Sequence, residues 1–206
     1  LLIICADHGE HLGEKQLMGH SISLYNELVH VPLIIRGPDR DLPRGSTIDT
    51  VVSTRRIFHT ALTAARCATE DEQSLTPAHS GSGTLHRESI FAMGVTPQNL
   101  LNLMRRRQPE LILQRRCDLP RYALWYEQYK LLQTGDELEL YDIFDDPREQ
   151  VNLRDIIPER AEMLQEYLQQ FIQMSTAQGA SASAEPVHEY NDPLVSRRLH
   201  DLGYLE

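Results

Sequence analysis

The sequence predicts an α/β fold, and three observations predict it. Leu1-Leu2-Ile3-Ile4-Cys5-Ala6 and Val31-Pro32-Leu33-Ile34-Ile35 are continuous apolar runs; without alternation, such runs read as strands buried on both faces. Pro158 to Met174 repeats Met163, Leu164, Tyr167, Leu168, Phe171 and Ile172 at helical spacing, with Gln165, Glu166, Gln169, Gln170 and Gln173 opposite. Arg121–Thr134 and Glu137–Phe144 carry strand-formers on either side of Thr134-Gly135-Asp136, a tight-turn signal.

The first strand leads into Asp7-His8-Gly9-Glu10. Side chains at the end of such a strand sit where open α/β sheets bind ligands. Asp7 and His8 can offer one oxygen and one nitrogen to the same divalent cation, and Gly9 lets the backbone turn away sharply beneath them. On residues alone a plainer reading stands beside this one, with Asp7 a helix cap and His8 a surface histidine. The wider pattern shifts the balance. Asp7-His8-Gly9-Glu10, Leu12-Gly13-Glu14, Gly19-His20, Leu24-Tyr25, Glu27 and Val31-Pro32-Leu33-Ile34 together closely resemble the sulfatase family of the alkaline phosphatase superfamily. Leu140-Tyr141-Asp142, then Asp145-Asp146-Pro147-Arg148-Glu149-Gln150-Val151-Asn152-Leu153, resembles a second signature near the end of sulfatases. There it closes a small antiparallel sheet: Asp146-Pro147 makes a turn, Asn152-Leu153 docks it, and no chemistry is assigned to it.

The resemblance implies the C-terminal portion of an alkaline-phosphatase-like sulfatase fold: part of the large mixed sheet, then a small antiparallel sheet with a C-terminal helix. Residues 1–115 would belong to the large metal-binding domain, 116–174 to the small-sheet subdomain with its packing helix, and 175–206 to a linker and tail. It implies metal-dependent hydrolysis of a sulfuric ester, on a small-molecule or glycan substrate. Asp7 and His8 take the place of a metal-ligand pair. The ion is calcium first, with manganese or zinc open because imidazole is softer than the oxygens calcium prefers. His20 matches a position where many sulfatases carry a lysine that contacts the sulfate and the leaving-group oxygen, and a histidine there suits a general acid. Lys15 is a lesser candidate for the anion pocket. Phosphonate or phosphate mono- or diester hydrolysis is the alternative within the superfamily, and a non-catalytic truncated remnant is the other.

The family's nucleophile is a formylglycine made in a Cys-x-Pro-x-Arg or Ser-x-Pro-x-Arg context. Cys5, Cys67 and Cys117 all lie outside that context, and they form no zinc spacing; Cys5 reads as a small buried hydrophobe. The chain also opens inside a strand pattern without an initiator Met. It reads as a fragment whose N-terminal part would hold the formylglycine, inactive alone, with its compartment undetermined. A sheet lacking its central strands would expose apolar surface, leaving self-association open.

The remaining sequence fits a soluble domain, with 41% hydrophobic and 24% charged residues. A formal charge of −10 argues against a nucleic-acid surface. No run reaches the ~18 to 20 apolar residues of a membrane span. Glu10 to Asn26 reads as a loop with one helical turn, 37–47 as a surface loop, and Val51-Val52 as a short strand. Ser53 to Ala65 reads as a helix capped by Ser53 or Thr54, with Ile57, Phe58, Ala61, Leu62 and Ala65 on one face. Thr69–Glu88 looks least structured. Ser89–Gly94 is a strand and Asn99–Arg107 a helix ending in three arginines that read as a solvated face. Ser175–Pro186 is a low-complexity linker, and Val195–Tyr204 resembles the short Leu-x-x-Leu-Gly-Tyr helix that ends many bacterial sulfatases. His11, His30, His59, His79, His86, His188 and His200 match no motif.

Overall fold

The computed structural model describes residues 1–37, 45–67, 74–75, 89–95 and 98–181, with 193, 197 and 198. Two compact units divide at Leu168/Gln169. The first unit opens with β1 (Leu2–Cys5), β2 (His11–Leu12), a 3-10 turn (Glu14–Gln16), β3 (Met18–Gly19), α1 (Asn26–Val29), β4 (Leu33–Arg36) and α2 (Arg56–Ala64). It continues with β5 (Ile90–Gly94), α3 (Gln98–Arg107), α4 (Pro109–Arg115), β6 (Arg121–Tyr126), β7 (Tyr129–Thr134), β8 (Glu137–Asp142) and the start of α5 (Pro158–Ser181).

Both expected N-terminal strands form, but they are not buried on both faces. β1 and β4 pair antiparallel as a two-stranded sheet, Leu2 opposite Arg36 and Cys5 opposite Leu33. Alternate residues point to opposite faces, so Leu2, Ile4 and Ile34 stand on one open face, 56%, 53% and 58% exposed, while Ile3, Cys5, Leu33 and Ile35 are half-buried. The expected apolar surface is therefore present. The stretch after Glu10 is more regular than a loop: β2 and β3 pair, His11 opposite Gly19.

The larger sheet has the order β5-β6-β7-β8, antiparallel throughout. The sequence reading placed β5 with the larger domain; here it is the edge partner of β6. That reading also treated 121–134 as one strand, whereas the chain reverses at Glu127-Gln128, with Glu127 at φ 55°. A non-glycine residue in that region carries no turn signature to read. The turn at Gly135 is as expected: Gly135 has φ 58°, and a Cβ there would come within 2.8 Å of Leu119 Cδ1. Val51 and Val52 form no strand; Val51 packs against the sheet instead.

Each face of the sheet has its own cover. Ala123, Trp125, Leu132 and Tyr141 form a core with Ile143, against which Leu24, Tyr25 and Val29 pack. Leu124, Leu131 and Leu140 lie opposite one another on the other face, fully buried. Tyr126, on that same face, meets Tyr167 of α5 edge-on at 5.6 Å. Within the first unit the helix buries Ala161, Leu164 and Leu168, one stripe at i, i+3 and i+7; Tyr167, expected inside, is exposed. A third cluster joins Leu101 of α3, Ile112 of α4 and Cys117, with Ile22 against it. The sequence did not predict α4. It has Pro109 in its first turn, and its last carbonyls, from Arg115 and Arg116, accept from the buried Arg121 guanidinium.

α2 also departs from expectation. Phe58, Ala61 and Ala65 are exposed, Ile57 and Leu62 half-buried, and the buried positions are Arg56 and Thr60. Thr60 Oγ1 donates to the Arg56 carbonyl and accepts the Leu75 N–H, so polar anchoring replaces the apolar face. Ser53 Oγ accepts the Arg55 N–H at 3.3 Å ahead of the helix.

The second unit, Gln169–Glu206, is helical through Ser181, where Thr176 Oγ1 back-bonds to the Ile172 carbonyl. The helix therefore runs past Met174 into the expected linker. Residues 182–186, 38–44, most of 69–88 and most of the tail lie outside the described residues; Arg197 and Arg198 of that tail are helical. No helix among the described residues is long and apolar enough to cross a membrane.

The N-terminal segment is fastened to the sheet by charge. Lys130 and Glu149 are both 0% exposed and 2.6 Å apart. Lys130 Nζ also donates to Asn26 Oδ1 at 2.9 Å and lies over the Trp125 ring, while Glu149 Oε2 accepts the Asn26 N–H at 2.7 Å. Beside them Glu139 accepts from the hydroxyls of Tyr25 and Tyr141. The second signature does the expected architectural work. Asp146 Oδ2 accepts the Gln150 and Val151 N–H groups, Asn152 Oδ1 accepts that of Leu140, and the Leu153 N–H donates to the Leu140 carbonyl.

Breaking a buried pair leaves a charge stranded, at a cost of about 3–5 kcal/mol. Lys130→Met should lower unfolding free energy by about that much in urea titration, and adding Glu149→Leu should recover part of it; a loss under about 1 kcal/mol would sink this account. Burial pushes Lys130 down to about 8 from 10.5, against the pull of Glu149. Burial, then Glu139, pushes Tyr25 up, and burial followed by its bond to Glu139 does the same to Tyr141. Their contribution is present below the unfolded tyrosine value near 10 and falls above it.

Candidate functional site

β1 ends at Cys5, two residues before Asp7, and the chain then crosses the flank of α1. The Gly9 N–H donates to the Leu28 carbonyl at 2.8 Å, and a Cβ on Gly9 would overlap the Glu27 carbonyl oxygen. Close approach to α1 is thus what requires glycine; its φ lies outside the left-handed range, so the expected sharp turn is not the reason. This contact fixes the backbone that carries His8 and Glu10. The β2–β3 pairing sets His11 opposite Gly19, which brings Glu10 and His20 face to face just outside the ladder.

Four side chains gather there. Asp7 Oδ1 accepts the His8 N–H at 2.9 Å, and that bond, first among its causes, holds the Asp7 carboxyl below its ordinary value. Asp7 Oδ2 lies 3.7 Å from His8 Nε2. His8 Nδ1 is 2.8 Å from the Gly9 carbonyl oxygen; since a carbonyl only accepts, Nδ1 is the donor. His20 Nδ1 is 3.1 Å from Glu10 Oε2, and its ring stacks on that of His8, centroids 4.3 Å apart at 25°. All four side chains face solvent. Ligand atoms from His8, Glu10 and His20 all lie within 4.8 Å of one another, and Asp7 lies outside that group.

The sequence-predicted residues are therefore only partly brought together. His8 and His20 share one cluster, with Asp7 beside His8. Lys15 is engaged elsewhere. Its ammonium donates to the Glu149 carbonyl and sits 5.0 and 5.5 Å over the rings of Tyr25 and Tyr141. It lines a cavity of about 210 Å³ with Tyr25, Arg121, Glu137 and Glu139. Sequence reasoning gave Glu10 no role, though it stands three residues past Asp7. It also passed over His11, which is 1% exposed and bonds Ser23 Oγ through Nε2 at 2.6 Å; only the alternation of His11 in and Leu12 out signals its inward direction.

The donor set fits a divalent cation: an anionic carboxylate at Asp7 and, 3.7 Å from it, the second imidazole nitrogen of His8. A formylglycine does not fit any position of this chain. Cys5 is half-buried and bonded to the Ala6 carbonyl, Cys67 is exposed and Cys117 buried, and none lies in the required context.

Residues 1–67 match the sulfatase family model. Among solved structures the chain is similar to a 2-O GAG sulfatase at 22% identity and TM-score 0.64, covering 87% of this chain and 37% of that one. It is also similar to a protein solved in complex with its substrate D-glucosamine-2-N,6-O-disulfate, at 22% identity and TM-score 0.58, over 88% and 35% of the two chains. A phosphonate monoester hydrolase of Agrobacterium radiobacter matches at 20% identity and TM-score 0.56, over 85% and 34%. No curated protein matches the chain. The chain thus spans little more than a third of the sulfatase structures it matches, and its fold is that of a C-terminal portion of the sulfatase architecture.

Gly9→Ala should destabilise the protein by about 2–3 kcal/mol in denaturant titration, because its methyl meets backbone that cannot step aside. Equal stability would show that the close approach to α1 is not needed.

Proposed function

We propose that this chain supplies the cation-binding and proton-donating part of a metal-dependent sulfuric ester hydrolase. The supporting observation is the meeting of His8 and His20 at the end of β1, inside the sulfatase-family segment. Asp7 and His8 are the cation ligands, with calcium first and manganese or zinc as alternatives. When bound, the ion would neutralise the sulfuryl oxygens and orient the ester. His20, held through Nδ1 by Glu10, presents its other nitrogen to the leaving-group oxygen as general acid, a role worth roughly 10²–10⁴ in rate. Lys15 is the lesser substrate contact, for a part of the ester that reaches the cavity it lines. The chain has no residue in the nucleophile context, so the covalent step belongs to sequence outside these 206 residues and the chain alone is inactive.

The substrate is a small-molecule or glycan sulfate ester; the neighbour solved with D-glucosamine-2-N,6-O-disulfate supports the glycan choice. The likeness to a phosphonate monoester hydrolase favours a second reading, in which the same residues serve a phosphonate or phosphate ester. The open face of Leu2, Ile4 and Ile34 supports self-association of the isolated chain.

Purified chain given an aryl sulfate, an aryl phosphate diester and an aryl phosphonate, each with calcium or manganese, should turn over none of them. A metal-dependent rate on any would overturn the part-enzyme reading and name the ester class. Calorimetry should find calcium binding that both Asp7→Ala and His8→Ala abolish; binding that survives Asp7→Ala would remove the ligand assignment.

A further inference from the structure

We infer that the cavity lined by the 3-10 turn, the end of α4 and strands β6 to β8 is an oxyanion subsite, which takes a sulfate or carboxylate group of an anionic saccharide. Lys15, Arg115, Arg116 and Arg121 line it, against the carboxylates of Glu137 and Glu139. This local excess of positive charge stands in a chain of formal charge −10. A cleft lined by one sign of charge, between walls of low dielectric, concentrates ions of the other sign.

The cations keep their charge and are only lightly committed. Arg121 is 5% exposed, and its guanidinium donates to the carbonyls of Leu119, Arg115 and Arg116. Carbonyls satisfy its N–H groups and leave its charge in place. Arg115 donates to the neutral amide oxygen of Gln16 at 3.2 Å, and the Lys15 ammonium to the Glu149 carbonyl. Among the described residues, none of these three forms an ion pair. Arg116 does, with Glu137 at 3.4 Å, but both side chains are about half exposed, and such pairs contribute little. Glu139 is taken up by the Tyr25 and Tyr141 hydroxyls.

The chemistry of the set selects the ligand. A guanidinium presents parallel N–H donors that match two oxygens of one oxyanion. An entering sulfate or carboxylate therefore replaces the neutral Gln16 contact of Arg115, and the loose Glu137 contact of Arg116, with charge-assisted bonds. At about 210 Å³ the cavity is smaller than the roughly 300–1,000 Å³ that encloses a whole drug-sized ligand. It holds one charged substituent and leaves most of the ligand outside. The saccharide as carrier rests on the functional reading, which gave only Lys15 a place here; the oxyanion site rests on the arginines.

Titration calorimetry of the chain with N-acetylglucosamine monosulfate, glucuronate and unsubstituted N-acetylglucosamine decides it, beside Arg115→Gln, Arg116→Gln, Glu137→Gln and His20→Gln. An anionic sugar should bind where the neutral one does not, and the tighter of the two names the oxyanion. Arg115→Gln and Arg116→Gln should each weaken it about tenfold, the loss of one charge-assisted hydrogen bond. Glu137→Gln removes the competing carboxylate and should strengthen it about threefold. His20 does not line the cavity, so His20→Gln should change it less than about twofold. The four positions are exposed or half-buried, and circular dichroism confirms that each variant remains folded. Equal binding of charged and neutral sugars, no binding by the folded chain, or affinity indifferent to both arginines would each overturn the inference. If His20→Gln abolishes binding and the arginine variants do not, this subsite fails while the functional reading stands. Arginine-dependent binding, with calcium indifferent to Asp7 and His8, keeps this subsite and removes the functional reading.

Discussion

The interaction on which the rest depends is the buried contact of Lys130, Glu149 and Asn26. On the inner face of the sheet Lys130 shares a row with Trp125 and Tyr141, positions that an apolar core would fill. It is tolerated because Glu149 and Asn26 satisfy it, each from a different segment. Such pairs add little net stability, since desolvation offsets most of the attraction, but they admit few alternative arrangements. Asn26 offers its side-chain oxygen to Lys130, its backbone N–H to Glu149 and its side-chain amide N–H to the Pro147 carbonyl, and all three are engaged. The segment after β3 therefore docks in one register. Tyr25, bonded to Glu139 next door, locks its rotation.

That docking carries the candidate site by a short chain of contacts. α1 begins at Asn26, Gly9 rests on the backbone of Glu27 and Leu28, and His8 and Glu10 flank Gly9. None of the cluster residues is itself buried. Their placement is set from below, by backbone held against a well-packed sheet, while the side chains stay free to adjust to a ligand. A rigid base under mobile donors suits ion capture, because ligand geometry can tighten without strain in the fold.

Much of this was legible in the sequence. β1, β4, β5, the Gly135 turn, α3, α5 and the docking role of Asp146 and Asn152 all follow from local pattern and resemblance. What escaped depends on partners distant in the chain. The Glu127 turn has no glycine to announce it, and α4 is short and ends on a left-handed Arg116 whose cap comes from Arg121. α2 buries Arg56 and Thr60 where an apolar stripe was expected, because Thr60 meets the backbone of Leu75. In the site, Asp7, His8 and His20 carried a motif. Glu10 gained meaning only once the ladder of β2 and β3 placed it against His20, and Lys15 lost its simple reading once Glu149 claimed its ammonium.

The long reach of the Asn26–Glu149 contact also sets a clock. The two residues lie 123 positions apart. At a synthesis rate of roughly 5–20 residues per second, about 6 to 25 s pass between the emergence of one and the other. During that interval the segment bearing Asp7, His8 and Glu10 exists without the sheet that orders it. Asp7, His8 and Glu10 therefore gain their fixed placement only after Glu149, far down the chain, has been made.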